Sequence, residues 1–359
     1  MGDTPTVYDV AARVGVSTAT ISRFFRNPAV VKPATRELIE RAVDELGYTP
    51  SGLARGLAEK HTGVIGLYSF SGHEPDELET IDAASADLVR TVREEDSSPR
   101  LYPLFADEVL RGVELECTLR GIPLALGWQQ ADASGVAIDE VARRVDGLIV
   151  LPHVMSDQAL RRLGRTKPIV MVSHEPAPST GFSSVTVNNR AGMAALTAHL
   201  VETHGVEEFW FAGPADDYDR SNRYAGFREA LTARGIPAPE PLALGAGGRM
   251  ETKKLFAPLV AAGPLPGAIV CSSDQTALGL LEALAAAGVS VPGDVIVTGF
   301  DGIDAGRSVR PSLTTVRQPM DALGRIAVEL LADRIADPDT APESRMLPVE
   351  LVLRRSCGC

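Results

Sequence analysis

This chain of 359 residues contains few cysteines, no long apolar segment and no excess of basic residues. Its four cysteines are scattered along the chain, which favours reduced thiols over a disulfide framework. No apolar run approaches the roughly 20 residues that span a bilayer. The first residues do not have the pattern of a signal peptide, so we expect a cytoplasmic protein with no membrane partner.

The net charge of −12 argues against a protein that coats nucleic acid with its whole surface. Residues 1–60 are the mildly basic part, with 8 Lys and Arg against 7 Asp and Glu, and the remainder holds 27 against 40. If this part binds nucleic acid, a few individual side chains must therefore supply its contacts to phosphate groups. The length indicates two or three folding units, since one core rarely serves a chain this long.

Two short helices around a glycine turn are predicted near the N-terminus. Apolar residues recur at helical spacing over residues 7–14, and Thr6 and Asp9 have the spacing of a capping box. Gly15 can adopt the positive φ of a tight turn, and Ser17 is suited to cap the second helix. This layout is typical of a helix-turn-helix, although such helix pairs also occur in many other helical proteins.

A third helix is predicted from Pro33 to the residue before Gly47, because proline favours the first turn and glycine ends a helix. Its apolar stripe consists of Ile39, Ala42, Val43 and Leu46. The three helices together could bury a small shared core.

The N-terminal segment resembles the headpiece of the LacI/GalR transcription regulators. The matching residues are Tyr8 to Ala11, Gly15 to Ser17, Thr20 to Arg23, Thr35 to Arg36, Glu45 to Pro50 and Ala54 to Leu57. The resemblance continues to the last residues of the chain, apart from residues 71–101. It implies a DNA-binding regulator, most often a repressor, that binds a palindromic operator as a homodimer.

The resemblance also assigns residues that contact DNA. Thr18 and Ala19 are small enough to pack on a thymine methyl group, and Arg23 is able to read guanine. The expected phosphate contacts are Ser17, Thr20, Arg26, Lys32 and Arg55. Lys32 replaces the serine that usually caps the third helix in the family, so this helix lacks that cap.

A break follows the third helix at residues 49–52, and the next six residues are too short to persist alone as a helix. The pattern alone is that of a linker. In the related family this segment is a hinge helix, which implies that Leu57, beside Ala54, inserts into the minor groove. The predicted domains are a headpiece (1–50), a hinge (51–61) and an effector-binding and dimerisation domain (62–359).

From residue 63 onward, short apolar runs alternate with helix-length amphipathic stretches. The first series is Val64 to Leu67, Ile122 to Leu126, Gly147 to Leu151 and Ile169 to Val172; the second is Phe209 to Ala212, Ala268 to Cys271 and Val295 to Phe300. Such runs suit strands buried on both faces of a parallel sheet. The predicted fold is an all-α helix-turn-helix headpiece followed by an α/β domain of two doubly wound lobes, with ligands beyond the carboxyl ends of the strands.

The resemblance implies a periplasmic-binding-protein-like wiring, in which the chain crosses between the lobes three times. We place the crossings near Ser173, Gln318 and Ala341. Lobe one then comprises about 62–173 and 318–340, and lobe two about 174–317 and 341–359.

Residues 71–101 depart from the family pattern by an insertion with nine acidic and three basic residues. This composition is typical of disorder. Its apolar positions nevertheless recur at helical spacing, which favours an extra amphipathic helix near the effector cleft or the dimer contact.

Five residues are candidates for effector binding, and three of them have an ordinary structural alternative. Arg223 matches an effector-binding arginine of the family, but could be a surface helix residue. Asp274 is assigned as an acceptor for the ligand, and is also placed to cap a helix. Phe105 could pack on a ligand ring or in the core. The last two candidates, Ser173 and His174, replace the aspartate that often follows the fourth strand.

Carbohydrates are the expected effectors, by resemblance only. Where a purine-binding relative has a stacking phenylalanine, this chain has Gly245 to Gly247, which disfavours a purine. No cofactor or metal is expected: the Cys357-Gly358-Cys359 terminus lacks Cys-x-x-Cys spacing, has no histidine nearby in sequence and should be mobile.

Two other classes of protein fit the sequence less well. A sugar-binding protein of a transporter fits residues 62–359 but leaves the headpiece unexplained. An enzyme would require a phosphate-binding glycine loop or a catalytic constellation, and neither spacing is present. The chain ends without an apolar heptad extension, so a dimer is the expected assembly.

Overall fold

The computed structural model describes residues 5–26, 28–48, 61–70, 104–129, 136–152, 154, 157–174, 181–242 and 248–359. It divides into two compact units, Met1–Val64 and Ile65–Cys359. Several sequence predictions lie outside the described residues: the hinge contacts at Ala54, Arg55 and Leu57, the helix in the insertion 71–101, and the segment Gly245 to Gly247.

The first unit is a three-helix bundle of α1 (Val7–Val14), α2 (Thr18–Arg26) and α3 (Pro33–Leu46). Its core consists of Val10, Ala11, Ile21, Phe24, Val31, Ile39 and Ala42. The predicted caps are confirmed: the Thr6 amide and hydroxyl donate to Asp9, Gly15 has a φ of 77° and Gly47 a φ of 61°. These local signals fix where α1 and α3 end, and the shared apolar stripe sets how the helices pack.

The second unit contains two sheets. The strands are β1 (Ile65–Phe70), β2 (Leu124–Gln129), β3 (Gly147–Val150), β4 (Ile169–Val172), β5 (Ser183–Val187), β6 (Phe209–Ala212), β7 (Pro241–Leu242), β8 (Ala268–Cys271), β9 (Ile296–Asp301), β10 (Thr314–Arg317), β11 (Ser344–Leu347) and β12 (Glu350–Val352). The first sheet has the order β11-β5-β4-β3-β1-β2 and the second β12-β10-β9-β8-β6-β7. All described pairings are parallel except that of β10 with β12.

Helices connect these strands in doubly wound fashion. They are α4 (Leu104–Arg120), α5 (Val136–Arg144), α6 (Asp157–Gly164), α7 (Asn189–His204), α8 (Tyr218–Thr232), α9 (Gly248–Ala262), α10 (Asp274–Ala286), α11 (Ala305–Ser308) and α12 (Met320–Ala336). The predicted two-lobe α/β fold is therefore confirmed. Among the described residues, none of the helices combines the length and the apolar character that a bilayer crossing requires.

The strand pairing corrects two of the three predicted crossings between the lobes. β5 pairs with β4, so the chain leaves the first sheet after Val187 and not near Ser173. β11 pairs with β5 and β12 with β10, so the last crossing lies between Leu347 and Glu350 and not near Ala341. The chain returns to the first lobe between Arg317 and Met320, where the sequence predicts a crossing near Gln318.

A pair of closely packed helices supports each lobe. In the first lobe α4 contacts α12, where a Cβ at Gly112 would overlap the Asp321 carbonyl oxygen and one at Gly324 would overlap that of Val109. In the second lobe α7 contacts α8, and a Cβ at Gly226 would overlap the Arg190 carbonyl oxygen. Glycine is therefore required at these positions for backbone contact rather than for backbone conformation.

Candidate functional site

One exposed face of α2 carries the residues predicted to read bases. Ala19 and Arg23 are exposed and one turn apart, and Thr18 beside them is half-buried. The Ser17 hydroxyl caps the helix by accepting a hydrogen bond from the Thr20 amide at 3.2 Å. The hydroxyls of Ser17 and Thr20 lie 3.0 Å apart, so both predicted phosphate contacts are at the N-terminal end of α2.

The other predicted phosphate contacts are less fully placed. Lys32 is exposed and makes no side-chain cap to α3, as its identity predicts. The side chain of Arg26 and all of Arg55 lie outside the described residues. An exposed ion pair between Arg13 and Glu45, at 2.7 Å, joins α1 to α3 in the bundle that presents α2.

A cavity of about 740 Å³ lies between the two lobes. One wall comes from the carboxyl ends of β3 and β4 in the first lobe, and the other from the loop after β6 and the first turn of α8. The lining residues are Val150, Leu151, Pro152, Val154, Leu160, Met171, Ser173, His174, Ala215, Asp216, Asp217, Tyr218, Ser221 and Asn222. This is the position where doubly wound folds bind ligands, and two of the five predicted effector residues, Ser173 and His174, lie in it.

Arg223 comes directly after the cavity-lining residues Ser221 and Asn222 on α8, and only 6% of it is exposed. Its guanidinium donates to Asn189 Oδ1 at 2.8 Å, to the Ser272 carbonyl at 2.7 Å and to Asp301 Oδ1 at 3.2 Å. It also lies 3.9 Å from the centre of the Phe300 ring. The surface-arginine alternative is therefore excluded, because this side chain is the centre of a buried polar network.

Two carboxylates complete this network, the buried Asp301 and the half-buried Asp219. Asp219 accepts a hydrogen bond from Asn189 at 2.8 Å, and Asp301 accepts one from Gln318 at 2.7 Å. Burial raises the pKa of both carboxyl groups, and the neighbouring Arg223 lowers it. The network thus joins α7, α8 and the end of β9 by charge-assisted hydrogen bonds.

Asp274 is corrected from an effector ligand to a structural acceptor. Its Oδ2 atom accepts hydrogen bonds from the amides of Gly302 and Ile303 at 2.8 and 2.9 Å, and its Oδ1 atom accepts one from the Thr315 hydroxyl at 2.6 Å. None of the residue is exposed, and burial raises its pKa to about 8. Asp274 holds the loop after β9 in place, and Asp301 is the carboxylate beside Arg223.

Asp301 is not among the site residues predicted from the sequence, although it directly follows the predicted strand run that ends at Phe300. Asp301 has a φ of 121° and Ser173 a φ of 54°, both unusual for residues other than glycine. Both residues end or follow a buried strand, and such backbone strain concentrates at functional sites. Phe105 instead packs against the hydrophobic core, which was its structural alternative.

Two family models match this chain. The model for bacterial regulatory proteins of the lacI family matches residues 6–51, and the model for the periplasmic binding protein-like domain matches residues 197–357. Both matches fall on units described above. The chain carries both domains of a LacI/GalR-family regulator.

Curated relatives in the LacI/GalR family agree over the full length. The HTH-type transcriptional repressor PurR of Vibrio parahaemolyticus is 29% identical over 360 residues, which cover 98% of this chain and 98% of the relative. PurR of Escherichia coli is 29% identical over 357 residues, which cover 98% of this chain and 96% of the relative. The chain is accordingly a DNA-binding transcriptional repressor with an effector-binding domain, and the enzyme alternative is excluded.

Solved structures of the family share its fold. The Lac repressor dimer bound to operator and the anti-inducer ONPF has a TM-score of 0.79 at 24% identity and covers 99% of both chains. A complex of the transcriptional regulator CelR with cellobiose has a TM-score of 0.67 at 28% identity, and covers 98% of this chain and 99% of that chain.

Proposed function

We propose that this repressor binds a palindromic operator as a homodimer and is controlled by an uncharged carbohydrate that binds in the cavity between its lobes. The observation that carries the proposal is the cavity itself, which lies at the carboxyl ends of strands from both lobes. A ligand held by both walls stabilises one relative orientation of the lobes. Its differential affinity for the two orientations then changes operator affinity.

The charges in and behind the cavity walls favour an uncharged ligand. Four carboxylates, those of Asp216, Asp217, Asp219 and Asp301, lie beside two guanidinium groups, those of Arg220 and Arg223. Carboxylates accept hydrogen bonds from sugar hydroxyls, whereas an anionic phosphate is repelled by them. Tyr218 adds an aromatic ring to the wall, on which a pyranose can pack.

The cellobiose complex supports this choice of ligand class. That regulator is 28% identical to this chain, and a disaccharide is named as its ligand. The cavity of about 740 Å³ is within the usual range for a small-molecule site, and it is large enough for a mono- or disaccharide. The operator-bound Lac repressor dimer in turn supports a dimer on DNA.

A thermal-shift screen with sugars, sugar phosphates and purines tests the proposal, followed by titration of each hit into a gel-shift assay with DNA from upstream of the gene. We expect an uncharged sugar to raise the melting temperature and to change operator affinity. A ligand that loosens the DNA complex is an inducer, and one that tightens it is a corepressor. If purines alone stabilise the protein, the carbohydrate proposal is wrong.

The charge of the preferred effector is a separate prediction. A phosphorylated form of the sugar should bind at least about tenfold more weakly than the sugar itself, because repulsion of roughly 1.4 kcal/mol corresponds to that ratio. Asp216→Asn should reduce this difference in affinity between the sugar and its phosphorylated form, since the exposed Asp216 carboxylate lies in the cavity wall. Isothermal titration calorimetry with both ligands measures it, and tighter binding of the phosphate would contradict the prediction.

Arg23→Ala should lose roughly 1–3 kcal/mol of discrimination at one base pair, since a bidentate contact to guanine would be removed. Binding to an operator library, measured at fixed salt concentration, gives this number. Arg23→Lys is the matched control, because it keeps the charge but not the planar pair of donors. An equal loss of affinity on all sequences, restored by lysine, would show that Arg23 contacts phosphate.

A further inference from the structure

The C-terminal residues fold back onto the end of α7, which corrects the sequence prediction of a mobile terminus. A 3₁₀ turn, Arg355–Cys357, brings Cys357 and Cys359 to His199 and His204, which lie more than 150 positions earlier. One ligand atom from each of these four side chains lies within 4.8 Å of the other three. Cys357 is 1% exposed, so the turn is anchored in the protein.

The distances among three of the four ligand atoms suit a single tetrahedral ion, and the fourth atom, Cys357 Sγ, lies within 4.8 Å of each of them. A zinc ion with Zn–N bonds of about 2.0–2.1 Å and Zn–S bonds of about 2.3 Å separates its two nitrogens by about 3.3 Å, and a nitrogen from a sulfur by about 3.6 Å. The Nε2 atoms of His199 and His204 are 3.2 Å apart. The Sγ atom of Cys359 is 3.5 Å from each of them.

The backbone beside Cys357 is held by hydrogen bonds that do not depend on a metal. The Ser356 hydroxyl donates to the Val297 carbonyl at 2.6 Å and accepts from the Thr314 amide at 2.8 Å. Gly358 has a φ of 96°, which lets the chain reverse so that the thiols on both sides of it reach the histidines. The ligands are therefore positioned by the fold.

Outer contacts orient two of the ligands. The Thr203 hydroxyl lies 3.2 Å from His199 Nδ1, which leaves Nε2 of that ring directed at the cluster. The Thr314 hydroxyl lies 3.1 Å from Cys357 Sγ and can donate to a thiolate there. Hydrogen bonds to the distal nitrogen of a histidine and to a thiolate are the usual support of metal ligands.

We propose that His199, His204, Cys357 and Cys359 form a zinc site that ties the C-terminus to α7. Two imidazoles and two thiolates in tetrahedral arrangement are a preferred donor set of zinc, and four protein ligands make the site structural rather than catalytic. The same α7 begins at Asn189, which contacts Arg223 in the buried network. Zinc bound there therefore stabilises the second lobe at the C-terminal end of α7, the end opposite to the buried network.

Metal analysis and cobalt absorption test the site on the full chain, produced without a histidine tag. We expect about one zinc ion per chain, and Co²⁺ added to the zinc-free protein should give thiolate charge-transfer bands and the intense d–d bands of tetrahedral cobalt. Cys359→Ser should weaken zinc binding more than about 100-fold, because loss of an outer-shell partner already costs 10–100-fold. Cys359 is exposed, so this variant should fold.

His61→Gln and Cys271→Ala are the matched controls, since His61 is exposed outside the cluster and Cys271 is buried in the second lobe. Both controls should keep the zinc content and the cobalt spectrum. The proposal is overturned if the purified chain holds no zinc and Co²⁺ gives no charge-transfer bands. It is equally overturned if Cys359→Ser leaves the zinc content and affinity unchanged, because the metal is then bound elsewhere.

Discussion

Arg223→Met should lower the free energy of unfolding of the effector domain by about 3–5 kcal/mol, the usual cost of removing one partner from a buried ion pair. The variant leaves the buried Asp301 carboxylate without its guanidinium, and leaves Asn189 Oδ1 and the Ser272 carbonyl without their donor. Urea unfolding followed by circular dichroism measures the loss. Arg228→Ala is the control, because Arg228 is exposed on the same helix and should change stability by less than about 0.5 kcal/mol.

The destabilisation by Arg223→Met should depend on pH. Burial already raises the pKa of Asp301, and Arg223 opposes this rise, so its removal raises the pKa further. A carboxyl group with a raised pKa in the folded protein contributes stability at low pH and loses it as pH rises through that pKa. The free energy of unfolding of the variant should therefore be closest to that of the wild type at acidic pH. The difference between the two should grow as the pH rises towards neutral.

A second substitution separates the charge effect from the loss of packing. Asp301→Asn removes the uncompensated charge, so Arg223→Met combined with Asp301→Asn should be more stable than Arg223→Met alone at neutral pH. If the double variant and the single variant have the same stability at every pH, the ion pair does not account for the effect. Neither variant should respond to an effector, although that expectation rests on the proposed function.

Gly324→Ala should have the second-largest effect, a loss of about 2 kcal/mol or more, because the two helices it joins must move apart. A Cβ there would overlap the Val109 carbonyl oxygen and lie 2.7 Å from the Val113 amide nitrogen. Alanine is otherwise favoured over glycine in a helix by about 1 kcal/mol, and overpacking a core costs about 1–3 kcal/mol or more. A decrease in stability therefore indicates that α4 and α12 are in close contact at Gly324, and an increase indicates that they are not.

Gly306→Ala provides the control for this experiment. Gly306 is also helical, but its nearest atoms would lie 3.4 Å or more from an added Cβ, which is ordinary van der Waals contact. Thermal unfolding of both variants should show a clear decrease for Gly324→Ala and little change for Gly306→Ala. A stabilised Gly324→Ala would mean that the backbones of α4 and α12 are farther apart in solution than in this structure.

Much of the fold could be predicted because its signals are local. The caps of α1 and α3 and the apolar runs of β3 and β4 each require only a few neighbouring residues. β5 shows the limit: Ser183, Ser184 and Thr186 are polar and lie outside the predicted strands, yet they are buried in a strand. Their hydroxyls find partners only through tertiary contacts, such as the 3.0 Å bond between Ser184 and Ser344.

The functional residues divide in the same way. Arg23 and Ser17 could be assigned because they stand within a dense local motif. Asp274 and Asp301 each belong to a strand end, and only the folded structure shows that Asp274 has its oxygens occupied while Asp301 meets Arg223. The sequence does not predict a role for the Cys357 and Cys359 thiols, because His199 and His204 are distant in sequence.

The placement of the three crossings limits how the lobes can move. They leave β5, β10 and β11, and each spans only one or two residues, so that the step from Leu347 to Glu350 reaches at most about 11 Å. β5 and β11 lie at one edge of the first sheet, and β10 and β12 at one edge of the second. The two lobes therefore cannot move straight apart from each other. They can still rotate relative to each other about an axis through the crossings. This rotation displaces residues most at the sheet edges farthest from the crossings, which are formed by β2 and β7.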